Sequence, residues 1–131
     1  MYKRQVVAPE PNPVLSPTDA LQLQSIAARV HVEDDIYEYA VALTSFTRSH
    51  SRVVLGASPR ATLSLLRAAK GNAVLQGRPF VTPDDVRAVA AMVLGHRLIL
   101  VPELEGDSRA RTNVVEEALA KVGYRRAVRP V

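Results

Sequence analysis

The chain has 131 residues, 47% hydrophobic and 23% charged, which is room for one soluble globular domain. No apolar run approaches the ~18–20 residues that span a bilayer, and no basic-then-apolar leader opens the chain. The absence of cysteine excludes disulfides, thiolate metal sites and cysteine catalysis. These features point to a cytoplasmic protein with no membrane partner. The net charge of +4 collects at the two ends, in Lys3 and Arg4 and in Lys121, Arg125, Arg126 and Arg129. Between residues 9 and 118, eleven basic residues face all thirteen acidic ones, a balance of about −2. A nucleic-acid-binding body carries its own basic stripe, so the charge argues against nucleic acid as a partner. Aromatic residues are 5% and tryptophan is absent. A core of Ala, Leu and Val then favours packed helices over a β-sandwich.

Residues 1–8 are basic and patternless, and Pro9, Pro11 and Pro13 alternate behind them as a stiff spacer. Residues 1–13 therefore read as a disordered start and linker, 14–123 as a helical domain, and 124–131 as a basic, solvated tail. A linker at this position suggests a preceding segment. Ser16-Pro17-Thr18-Asp19 gives a capping hydroxyl, a proline at the first helical position and an acid in the first turn. Leu23, Ile26, Ala27 and Val30 follow as the stripe of a first helix. Glu33, Asp34 and Asp35 place negative charge at a second helix start, where the dipole favours it. Ile36, Tyr39, Ala40 and Leu43 form its stripe, and it frays near Ser49-His50-Ser51.

Ser58-Pro59 opens a third helix that runs to about Gln76 and stops at Gly77. Thr82-Pro83-Asp84-Asp85 opens a fourth, striped by Val86, Val89, Ala90 and Val93 and ended by Gly95. Arg97–Val101 is too short for a helix and reads as an extended connector. Val115, Ala118, Leu119 and Val122 stripe a last helix ending at Gly123. The fold class is all-α, a small bundle of about five helices with one short extended connector.

Self-sufficient catalytic chemistry is missing. There is no GxxxxGK[ST], GxGxxG, HExxH or G-x-S-x-G. His31, His50 and His96 lie in separate segments and read as helix-end or capping residues. The pairs Asp34-Asp35 and Asp84-Asp85 sit in first turns, where the dipole accounts for them. No catalytic residue and no metal site is assigned.

One segment is at odds with local physics. Arg60 falls in the first turn of the third helix, where a cation opposes the dipole at a cost of roughly 0.3–1 kcal/mol. A spacing of 100° per residue puts Arg60, Ser64, Arg67 and Gly71 on one strip of a helix otherwise rich in Leu and Ala. An anion would resolve the conflict, since helix N-termini and arginine both bind phosphate. The competing reading has Arg60 reaching to solvent or pairing with a surface acid. Arg67 reads as a structural ion-pair partner. Gly71 and Asn72 interrupt a helix in which Ala or Leu is expected, and the glycine costs up to ~1 kcal/mol unless another backbone approaches it.

GASPRATLSLLRAAKGNAVLQGRPFVTPDDVRAVAAMVLGHRLIL closely resembles the C-terminal lid of MoxR-type AAA+ ATPases, and LSPTDALQLQSIAARVHVEDDIYEYAVALTSFTRSH resembles that family's lead-in. The resemblance covers roughly residues 14–101, with a weaker match through the last helix. It implies a helical lid packed on an ATP-binding core in the same chain. Arg60, in the SPR turn, matches the sensor-2 arginine that reaches the terminal phosphate. Ser58 and Pro59 would set the turn, and Gly56 and Ala57 would allow close approach to the nucleotide. The resemblance also implies ATP with Mg2+ in the full-length parent, assembly into rings, generally hexamers, and chaperone-like remodelling with partners carrying von Willebrand factor A domains. The Walker A, Walker B, sensor-1 and arginine-finger elements are not in this sequence, so this fragment alone is expected neither to hydrolyse ATP nor to bind nucleotide tightly. The alternative is a free-standing, histone-fold-like helical module that binds a partner protein.

Overall fold

The computed structural model describes residues 7–126. Five α-helices carry the fold: α1 (Pro17–Ala28), α2 (Asp34–Arg48), α3 (Pro59–Leu75), α4 (Pro83–Leu94) and α5 (Ala110–Lys121). Three of them begin where a hydroxyl residue precedes proline. Ser16 accepts from the Asp19 amide while Asp19 accepts from the Ser16 amide, a reciprocal cap. Ser58 accepts from the Ala61 amide at 3.3 Å, and Thr82 caps α4. Gly77 ends the α3 turn with φ of 71°, in the left-handed region open to glycine.

α3 lies at the centre, packed most extensively on α4 and then on α1 and α2, while α5 closes α2 and α4 from the other side. The core is Ala, Val and Leu, with Ile36 and Tyr39 from α2. The expected stripe Ile36, Tyr39, Ala40 and Leu43 is buried throughout. Residues 30–32 dock on 79–81 through His31 N–H to the Pro79 carbonyl and Val81 N–H to the His31 carbonyl, at 2.9 and 3.0 Å.

Several expectations change. The extended connector is half of a small antiparallel pair: β1 (Val53–Leu55) joins β2 (Ile99–Leu100), with Val53 opposite Leu100. The stripe assigned to the first helix is not a core face. α1 buries no residue, Leu23 and Ile26 are 40% and 46% exposed, and Val30 is buried beyond the helix end. α1 leans on α3 from one side, and no other described element makes a substantial contact with it. The last helix starts at Ala110, and its expected residues Val115 and Ala118 are buried. Tyr124, assigned to the tail, donates a 2.6 Å hydrogen bond to Asp35 and sets its ring edge-on to Tyr39. The patternless basic start, at residues 1–6, and the basic tail, at residues 127–131, lie outside the described residues.

Candidate functional site: the Arg60 turn

Arg60 is the second residue of α3, behind Pro59 and the Ser58 cap. Its side chain is exposed and forms no hydrogen bond or ion pair among the described residues. Its backbone N–H is one of the first-turn donors that helical geometry leaves without a carbonyl. Arg67, two turns on, is also exposed and makes no described ion pair, which corrects the expectation of a structural partner. Ser64, between them, is 3.4 Å from a nitrogen of Arg97. The strip Arg60, Ser64, Arg67 is therefore cationic, and α3 contains no acidic residue to neutralise it.

The supporting turn packs against the end of α2. A Cβ on Gly56 would stand 2.6 Å from the Cα and N of Arg48, so glycine there lets the turn lie against the end of α2. Ala57 is 0% exposed, and its N–H donates to Thr47 Oγ1 at 2.9 Å. Gly56 is half-buried and Ala57 buried, while Ser58, Pro59 and Arg60 are exposed.

Sequence reasoning missed three polar groups that shape this end of the bundle. Thr44, Thr47 and Thr62 are buried, with Thr44 and Thr62 joined hydroxyl to hydroxyl at 2.8 Å. Their signal was available: residues 44 and 47 continue the apolar phase of α2 with hydroxyls in place of hydrocarbon. Asp85 is 1% exposed and does more than answer the helix dipole. It accepts from both terminal nitrogens of Arg78 at 2.7 and 2.6 Å, from Asn72 at 2.8 Å, and from the Thr82 amide and hydroxyl at 2.7 and 3.0 Å. Burial pushes its carboxyl up, but these donors outweigh it and hold the group well below the usual carboxylate range. Asn72 thus serves this network, whereas nothing approaches the position of a Gly71 Cβ within 4 Å.

His50 is more than a fraying helix end. Its Nδ1 accepts from the Arg52 amide at 3.1 Å, which leaves Nε2 to donate to Glu117 at 2.8 Å across to α5. Hydrogen bonds from His50 and then Lys121 lower the Glu117 carboxyl to about 2. His31 pairs with Glu33 on the surface, and His96 lies 3.2 Å from the Met92 carbonyl. Among the described residues no group of three His, Cys, Asp or Glu side chains could hold a metal, and no helix is long and apolar enough to cross a membrane.

Arg60 and Arg111 each stand second in their helices, α3 and α5; Arg111 donates to the Leu98 carbonyl at 3.2 Å, whereas Arg60 has no partner among the described residues. Comparisons with known proteins place the fold in a family. Residues 45–119 match the family of the AAA lid domain. Chaperone MoxR1 of Mycobacterium tuberculosis is 35% identical across 93% of this chain and 35% of its own length. YeaC of Bacillus subtilis is 36% identical across 84% of the chain and 34% of its own. A crystal structure of a candidate ATPase from Cytophaga hutchinsonii superposes with a TM-score of 0.77 at 30% identity, over 83% of this chain and 36% of that one. The chain belongs to the AAA lid family, in the MoxR group, and spans about a third of the length of the relatives it matches.

Proposed function

We propose that the chain is the nucleotide-sensing lid of a MoxR-like AAA+ ATPase, with Arg60 as the sensor-2 arginine. The observation that carries this is Arg60 itself: a first-turn arginine, against the helix dipole, exposed and without a partner among the described residues, on a turn packed tightly to α2. A terminal phosphate fits the group. The guanidinium can meet phosphate oxygens bidentately, and the open backbone donors of the α3 start add to it. Cradling the remaining phosphates and holding Mg2+ need a P-loop lysine and carboxylates that this sequence does not supply. ATP with Mg2+ therefore belongs to an ATP-binding core in the same chain, and the lid by itself is not an enzyme. When the core holds nucleotide, Arg60 orients the terminal phosphate and links its loss to movement of the lid. Ring assembly, generally of six copies, chaperone-like remodelling in the cytoplasm and a partner with a von Willebrand factor A domain complete the reading.

The test is Arg60→Ala in a protein carrying this lid with its core. Hydrolysis should be abolished while the circular dichroism spectrum is unchanged. Unaltered turnover refutes the role.

A further inference from the structure

Arg60 has an exposed side chain, without a partner among the described residues, on a backbone held from both sides, and the holding groups are the three buried threonines. Thr47 donates to the Thr44 carbonyl at 2.7 Å, within its own helix. It also accepts, ten residues away, from the Ala57 amide at 2.9 Å. Thr44 donates to the Ala40 and Val41 carbonyls at 3.2 and 3.0 Å. With that proton committed, Thr62 is the donor in the 2.8 Å contact between the two hydroxyls. Arg60 is thus bracketed. Three residues before it, Ala57 is tied to the last turn of α2; two residues after it, Thr62 is tied to the same helix one turn earlier. Gly56 lies against Arg48 beside the first tie.

A valine at 44, 47 or 62 has nearly the same shape and leaves no hydroxyl to satisfy in the core. The hydroxyls do something hydrocarbon cannot: Thr47 alone answers the buried Ala57 amide. We propose that Thr47, backed by the Thr44–Thr62 pair, is a positioning residue for Arg60. It makes the SPR turn a rigid extension of α2, so the arginine is aimed by the helix and not by its loop. Pre-set geometry of this kind is what a phosphate contact needs, since misplacement by ~1 Å weakens such contacts severely. The functional meaning rests on the reading of Arg60 given above; the mechanical claim does not.

The experiment therefore uses no nucleotide. Amide hydrogen exchange and 15N relaxation are measured on the 131-residue chain, for Thr47→Val and Thr47→Ser. In Thr47→Val the Ala57 amide should exchange at least about tenfold faster relative to Val115 in α5, and the Arg60 amide should gain fast motion. Thr47→Ser, which restores the hydroxyl, should return both to the starting values. Unchanged Ala57 and Arg60 signals in Thr47→Val overturn the proposal. So does a rise shared equally by Val115, or failure of serine to rescue. If Thr47→Val does not fold, Thr62→Val cuts the second tie without orphaning the Ala57 amide; added motion at Arg60 supports the proposal, and its absence overturns it. Failure of the Arg60→Ala turnover test refutes the phosphate reading alone.

Discussion

Replacing Asp85 by asparagine should cost the fold about 3 kcal/mol. Asp85 offers two oxygens to five donor contacts. Oδ1 takes an Arg78 nitrogen and Asn72; Oδ2 takes the other Arg78 nitrogen and both Thr82 donors. Asparagine has one oxygen, so either orientation strands two or three donors and sets an NH2 against them. It also removes the charge facing Arg78. Breaking a buried pair costs roughly 3–5 kcal/mol, and the lower end applies because Arg78 is 28% exposed and can turn to water. For a domain of this size the midpoint of thermal unfolding should drop by about 10 °C.

The pH dependence gives a second reading of the same substitution. The Asp85 carboxyl is lowered in the fold from its ordinary 3.8. The unfolded chain therefore takes up the proton first on acidification. The stabilisation is whole above about pH 4 and declines as pH falls below it. Urea denaturation at pH 7, 5 and 3 should show a constant gap between the native chain and Asp85→Asn at the first two values. At pH 3 the gap should be narrower by about 1 kcal/mol. A variant within 1 kcal/mol of the parent at pH 7, or a gap that ignores acid, refutes the reasoning.

Gly71→Ala should stabilise by about 0.5–1 kcal/mol in urea, because the added methyl meets open space and the helix gains propensity. Gly56→Ala should do the reverse, by about 1–3 kcal/mol, since its Cβ would stand 2.6 Å from Arg48 backbone atoms. Tyr124→Phe keeps the edge-on contact with Tyr39 but loses the hydrogen bond to Asp35, a loss of about 1 kcal/mol by the same assay. Glu117 is lowered from 4.5 to about 2 by His50 and Lys121, so its contribution is present above pH 4.5 and fades as pH falls through 2. Glu117→Gln should flatten that limb of the acid unfolding curve.

The helix starts were legible because their signals are local. Ser16-Pro17, Ser58-Pro59 and Thr82-Pro83 each place the cap and the first helical residue side by side in sequence. The stripe of α2 was legible because both of its flanks are covered. Leu23 and Ile26 carry the same periodicity but stay exposed, since a pattern states which face is apolar and not whether anything lies on it. The β1–β2 pair was hidden by distance: Val53 meets Leu100, and neither run is long enough to announce itself. Asp85 looked like a dipole charge because its partners Asn72 and Arg78 belong to the preceding helix and turn. Arg60 stood out as a cation in the wrong place, whereas Thr44 and Thr47 passed as ordinary members of an amphipathic helix.

The arginines of the fold differ in what they meet. Arg78 and Arg87 are tied to carboxylates, and each also lies over an aromatic ring, Phe80 or Tyr39. These cations brace α4 against its neighbours. On α3 the pattern inverts: Arg60 and Arg67 reach outward without described carboxylates, on a helix with no acid of its own. Propensity does not explain Arg60, because alanine would suit the helix better and would avoid opposing its dipole. Packing does not explain it either, because the side chain is exposed. The turn beneath it is held by a glycine approach, a buried amide and a hydroxyl pair. A base fixed this closely under an unanswered charge is the geometry on which the proposed phosphate contact of Arg60 rests.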